Sequence, residues 1–133
     1  MKRILVAFDG GEPARRALQT AINLGRAFGA PISVVSVVPV HASRAPIDPW
    51  DDATAHEQQL AEAKRILTSN GIEAELLEPA GDPAPTIERI AVEGGFDTIV
   101  VGSRGLGPLA RLLQGSVSEH VATHTSATVV IAR

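Results

Sequence analysis

Cysteine is absent from this 133-residue chain. That excludes thiol catalysis, disulfide stapling and cysteine-based zinc sites outright. Aromatic side chains are scarce, with no Tyr, one Trp and three Phe. A platform for stacking single-stranded nucleic acid needs several aromatic faces, so that class is set aside. Positive charge is not in excess either. Twelve Lys and Arg against fifteen Asp and Glu give a formal charge of −3, which argues against nucleic acid or an anionic membrane as partner. No apolar run approaches the roughly 20 residues that span a bilayer. The basic start Met1-Lys2-Arg3 leads into five apolar residues, 4–8, and stops at Asp9. That run is too short for the core of a secretory signal. The expected location is the cytoplasm.

What is present reads as one domain, residues 1–133. A chain of this length buries roughly two-thirds of its unfolded surface without a staple. Its 44% hydrophobic and 20% charged residues are those of an ordinary globular protein. Strand and helix patterns alternate along it. Strands are expected near residues 3–8, 32–38, 72–78, 98–101 and 127–132. Helices are expected between them, the first three ended by Gly or Asn-Gly. Pro13 suits the first turn of helix one, whose apolar stripe runs Ala14, Ala17, Leu18, Ala21, Leu24 and Phe28. Helix two starts near Asp51-Asp52 with Leu60, Ala63, Ile66 and Leu67 inward, and helix three follows Asp82-Pro83 with Ile87, Ile90 and Ala91 inward. A fourth helix is expected over residues 116–125. Strands one, two, four and five are continuous apolar runs, as in a parallel sheet covered on both faces. The third strand alternates Glu73 and Glu75 with Ala74 and Leu76, which suits a sheet edge. The expectation is an α/β fold, three-layer and doubly wound. Residues 39–52 hold three prolines and read as a loop.

The chemistry is concentrated after the fourth strand. Gly102-Ser103-Arg104-Gly105 is followed by nine residues and then by Gly115-Ser116. Glycines let backbone N–H groups approach an anion closely, and a helix N-terminus adds unpaired donors and a favourable dipole. A strand, such a loop and a helix start make a phosphate cradle. Open parallel sheets bind ligands beyond the C-terminal strand ends, where strand order reverses. If the fourth strand lies beside the first, Asp9 opens on the same crevice as Gly102. Two readings of Asp9 stay open: it caps helix one, or it accepts hydrogen bonds from an adenine or ribose or orders a metal. Each glycine alone has a structural reading, as a tight turn or a helix start.

Other motifs carry less. Gly105-Leu106-Gly107-Pro108-Leu109-Ala110 matches a dinucleotide fingerprint on paper, but it follows the fourth strand and Pro108 interrupts it. Gly115-Ser116 is preceded by Gln114, so there is no phosphate-loop lysine. Without it, binding rests on backbone donors and hydroxyls, with Arg104 and Arg111 able to approach. A handful of such bonds implies an affinity on the order of micromolar. His120 and His124 stand four apart on a helix without an acidic partner, and are read as solvent-facing. No nucleophile elbow and no paired carboxylates occur.

The whole chain resembles the universal stress protein family. The resemblance rests on Asp9 after strand one, Val37-Val38 ending strand two, Gly81-Asp82-Pro83, and above all Gly102-Ser103-Arg104-Gly105 through Gly115-Ser116-Val117. It implies a Rossmann-like five-stranded parallel sheet of order 3-2-1-4-5. It further implies that Asp9 contacts the adenosine half, that Val37 offers its backbone to adenine, and that Gly102, Ser103, Arg104, Gly105, Gly115, Ser116 and Val117 wrap ribose and phosphates. The implied ligand is ATP, with Mg2+ or Mn2+ accompanying it. Members commonly pair as homodimers through the last strand, here Thr128–Ala132. One departure is Gly10-Gly11 where the family often carries Gly-Ser, so any hydroxyl contact from position 11 is lost. The expected function is an ATP-binding regulatory or sensing module in stress response rather than an enzyme. The alternatives are a slow ATPase or self-phosphorylating protein, and a nucleotide-free dimeric scaffold.

Overall fold

A computed structural model describes residues 1–39, 49–81, 83–102 and 127–132. The elements in chain order are β1 (Ile4–Ala7), α1 (Gly11–Phe28), β2 (Ile32–Val35), β3 (Val38–Pro39), α2 (Pro49–Ser69), β4 (Glu75–Leu77), β5 (Ala80–Gly81), α3 (Pro83–Glu93), β6 (Thr98–Gly102) and β7 (Thr128–Ala132). The main sheet has five parallel strands in the order β4-β2-β1-β6-β7. This is the expected α/β arrangement, third, second, first, fourth and fifth.

The three layers follow from period-two alternation along buried strands. In β1, Ile4 and Val6 face one core and Leu5 and Ala7 the other. The first core takes Ala14, Ala17, Leu18, Ala21 and Ile22 from α1 and Ala63 and Leu67 from α2. The second takes Ile87 and Ala91 from α3, together with Phe96. Ile4, Leu5 and Val6 are wholly buried. Each such side chain stabilises the fold by roughly 1.5–3 kcal/mol relative to exposure.

Several details depart from the sequence reading. Strand two breaks after Val35, and the pairing resumes as a small two-stranded sheet, Val38 with Ala80 and Pro39 with Gly81. Hydrogen bonds Ser36 N–H to Leu77 C=O (2.9 Å) and Val38 N–H to Pro79 C=O (2.8 Å) carry the ladder across the break. α1 begins at Gly11, two residues before Pro13. Gly10 and Gly11 both have positive φ, +79° and +85°, a conformation that side-chain-bearing residues adopt at a cost. Phe28 is 57% exposed, because the last turn of α1 reaches past the core. β7 is a continuous apolar run in sequence, yet only Ala132 is buried and Ile131 is 42% exposed. It pairs with β6 alone, so it is a sheet edge among the described residues. The N-cap reading of Asp82 and the fourth helix lie outside those residues.

Asp97 ties the N-terminal ends of β1 and β6 together. Its carboxylate accepts the N–H groups of Lys2 (2.7 Å) and Arg3 (3.2 Å) and the Thr98 hydroxyl (3.1 Å). Backbone donation from Lys2, then from Arg3, holds its pKa below the ordinary carboxylate value. A depressed carboxylate stabilises the fold above the unfolded-state pKa, and that stabilisation is lost as pH falls through the lower folded value. Asp97→Asn is therefore expected to lower the thermal midpoint at neutral pH, and the gap to wild type should close below about pH 4. Thermal melts across pH check this; a gap independent of pH would exclude the linkage.

Candidate functional site

The strand order reverses between β1 and β6, since the chain winds outward to β2 on one side and to β7 on the other. Such a reversal opens a crevice at the C-terminal strand ends. Register places the expected residues there. Ala7 is level with Val35 and Val6 with Val100. β1 ends at Ala7 and β2 at Val35, so Asp9 and Val37 each follow their strand by two residues, while Gly102 closes β6. Asp9, Val37 and Gly102 thus lie at or just beyond the C-terminal ends of three adjacent strands. Ser103, Arg104, Gly105, Gly115, Ser116 and Val117 lie outside the described residues.

Each of the three has a distinct environment. The Phe8 N–H donates to the Val35 carbonyl (2.9 Å), which holds the chain against β2 up to Asp9. Asp9 is exposed as a residue, yet partial desolvation of its carboxyl raises the pKa above the ordinary value. A hydrogen bond from its own N–H opposes that shift. Val37 sits in the break of strand two, its side chain packed against the second core. Its neighbours Ser36 and Val38 both donate backwards to the β4 side. Among the described residues, no backbone group pairs with the Val37 N–H or C=O. Gly102 is buried against the first turn of α1. A Cβ there would lie 2.7 Å from the Pro13 carbonyl oxygen and 2.8 Å from its carbon. Close approach, rather than a tight turn, explains this glycine.

Sequence reasoning missed the contribution of α2. A polar groove of about 610 Å³ runs beside Asp9, between the β1–α1 turn and α2, lined by Gln58, Gln59, Glu62 and Arg65. Gln59 lies over Gly10, where a Cβ would come within 3.1 Å of its Cγ. Its amide oxygen accepts the Ser36 hydroxyl at 3.3 Å. Glu62 accepts the Arg15 guanidinium, joining α2 to α1. No motif marks Gln58 and Gln59 in sequence; only their place on the helix face beside the apolar stripe hints at them. Among the described residues, no group of three His, Cys, Asp or Glu side chains could hold a metal ion, and no helix is long and apolar enough to cross a membrane.

The fold and this rim define a doubly wound α/β protein with its crevice at the strand-order reversal. A family model described as the universal stress protein family matches residues 1–133, and the chain belongs to that family. It is 32% identical over 149 aligned positions to universal stress protein YxiE of Bacillus subtilis, covering 98% of each chain. The structure of a universal stress protein from Archaeoglobus fulgidus superposes with a TM-score of 0.74 at 26% identity, covering all of this chain and 94% of that one. A universal stress protein from the same organism in complex with dAMP superposes with a TM-score of 0.70 at 24% identity, covering all of this chain and 98% of that one.

The contact at Gly102 has a direct consequence. Gly102→Ala forces the β6 end and the Pro13 backbone apart, which overpacking data put at about 1–3 kcal/mol. Urea unfolding without any ligand is expected to show this loss. Unchanged stability would mean that the first turn of α1 yields freely.

Proposed function

We propose that the chain binds ATP or a related adenine nucleotide in the crevice at the β1–β6 reversal, and acts as a regulatory or sensing module rather than a committed enzyme. One observation supports this reading: Asp9, Val37 and Gly102 lie at or just beyond the C-terminal ends of adjacent strands, on either side of the strand-order reversal. The polarity of that rim sets the ligand's direction. A carboxylate repels phosphate and accepts hydrogen bonds, so Asp9 belongs with the ribose or base. The main-chain groups of Val37, which no described backbone group pairs, suit the adenine edge. Gly102 begins the segment whose glycines, Gly105 and Gly115, with Ser103, Arg104, Ser116 and Val117, would cradle the phosphates with N–H groups and hydroxyls. Any Mg2+ or Mn2+ would be held chiefly by phosphate oxygens, since Asp9 alone is too small a ligand set. The dAMP complex of the Archaeoglobus fulgidus protein supports an adenine nucleotide on this fold.

Calorimetric titration with ATP and magnesium tests the reading. Wild type is expected to bind with a dissociation constant on the order of micromolar. Gly115→Val should abolish the heat, and Asp9→Asn should weaken binding by about tenfold or more. Gly102 is a poor position for this test because of its packing against Pro13. The ligand-free Asp9→Asn protein should also melt higher than wild type at neutral pH. A carboxyl whose pKa is raised on folding favours its neutral form, so its ionisation opposes folding above that pKa, and the effect disappears below the ordinary carboxylate value. No heat with wild-type protein would overturn the nucleotide reading.

We further propose that β7 pairs with a second copy. Thr128 and Ile131 are exposed on an open apolar edge, and such edges pair readily. Ile131→Lys is expected to shift the mass measured by light scattering from dimer to monomer. A wild-type monomer at micromolar concentration would refute this pairing.

A further inference from the structure

The opposite end of the sheet has a different character. β4 pairs only with β2. The Leu77 carbonyl accepts from Ser36 and the Pro79 carbonyl from Val38. By alternation along the strand, the main-chain groups of Ala74, Leu76 and Glu78 point outward. Among the described residues nothing covers them. Two grooves flank this edge, one on each face of the sheet.

On the α2 face lies a groove of about 670 Å³, lined by Lys64, Leu67, Thr68, Ile72, Ala74 and Leu76. Leu67, Ile72, Ala74 and Leu76 give it an aliphatic part, and Glu73 lines it together with Lys64. On the α3 face lies a groove of about 350 Å³ with an apolar floor that includes Leu77, Pro79 and Ile90. Glu75, Glu78 and Glu93 rim it, and all three are exposed. The one cation there, Arg3, is already engaged. Its guanidinium donates to the Gly94 carbonyl and lies 4.4 Å from the Phe96 ring centroid. None of the three carboxylates is in an ion pair with any described residue.

We propose that this edge is a docking site for an extended basic segment of another protein, which adds to the sheet as a sixth strand beside β4. Side chains of an extended strand alternate between faces. One set would enter the aliphatic part of the groove under α2. The other set would meet the three glutamates under α3. The segment recognised therefore alternates apolar residues with Lys or Arg. Main-chain bonds to the outward groups of Leu76 and Glu78 supply affinity, and the two grooves supply selection, as in strand addition generally. A second copy of this chain fits poorly as the occupant. Pairing β4 with itself would oppose Glu73, Glu75 and Glu78 to their own kind, and like charges facing across strands are destabilising. The site is separate from the nucleotide crevice, which lies at the C-terminal ends of β1 and β6.

The probe is a fluorescently tagged octapeptide alternating lysine and valine, titrated into the full chain by anisotropy. Saturable binding that weakens with added salt is expected. A glutamate–valine octapeptide should not bind. A lysine–valine peptide with a central proline, which lacks a ladder donor, should bind roughly tenfold more weakly or worse. The triple variant Glu75→Lys, Glu78→Lys, Glu93→Lys should show a similar loss; its melting curve reports whether it folds. Hydrogen exchange should slow at Leu76 and Glu78 in the complex. No binding at millimolar peptide, equal binding of the proline peptide, or competition by ATP would overturn the proposal. Because the proline comparison uses the wild-type chain, it decides even if the triple variant fails to fold.

Discussion

The crevice depends on how closely the first turn of α1 lies against the end of β6. Pro13 presents its carbonyl where a Gly102 side chain would stand. That contact sets the spacing between the helix leaving β1 and the strand beside β1. The chain reaches it through Gly10 and Gly11, both with positive φ. A serine at position 11 would have to adopt the same left-handed backbone, so the loss of a hydroxyl there accompanies a turn shaped for glycine. The local conformation, the close packing and the position of Asp9 are thus a single constraint rather than three.

How much of this was legible in the sequence differs by element. β1 and β6 announce themselves because burial on both faces demands unbroken apolar runs, and 4–8 and 98–101 are such runs. The same logic taken alone would cover β7 on both faces, whereas the order 3-2-1-4-5 implied by the family resemblance already puts it at the edge, as the sheet has it. Its composition is that of a covered strand, whereas the fold leaves Ile131 at an edge; composition reports what a strand avoids, not who its neighbours are. The break in strand two was invisible because Ser36, Val37 and Val38 continue the β-branched and small pattern. Hydrogen bonds to β4 and β5, distant in sequence, decide where that ladder bends. Asp9 and Gly102 were found at the rim because each directly follows a strand that could be recognised. Gln59 was not, because its role comes from α2 folding back over Gly10. The packing role of Gly102 was missed for the same reason: a glycine records that space is short without saying what fills it.

The two edges of the sheet show how charge separates surfaces made of the same backbone. Both β4 and β7 end the sheet with open hydrogen-bonding groups. β7 carries Thr128, Val129, Val130 and Ile131, with no charge to oppose another copy. β4 is bracketed by Glu73, Glu75 and Glu78, which discourage self-pairing while leaving the main chain available. A protein with two sticky edges would polymerise through them. With one edge neutral and the other acidic, the proposed association through β7 would close at two copies.

Asp9 illustrates the balance between stability and binding. Partial burial raises its pKa, so at neutral pH the ionised carboxylate opposes folding. The fold tolerates this because the remaining flank is exposed and water still solvates the charge. A ligand that covers that flank removes the water, and only one that donates hydrogen bonds can replace what is lost. Ribose hydroxyls and an adenine amine are such donors; phosphates are not. On the proposed nucleotide reading, the same residue would admit a nucleoside end and reject a phosphate end. The Val37 main chain, which no described backbone group pairs, would favour the same orientation. Selectivity for direction would then arise from a carboxylate whose ionisation opposes folding.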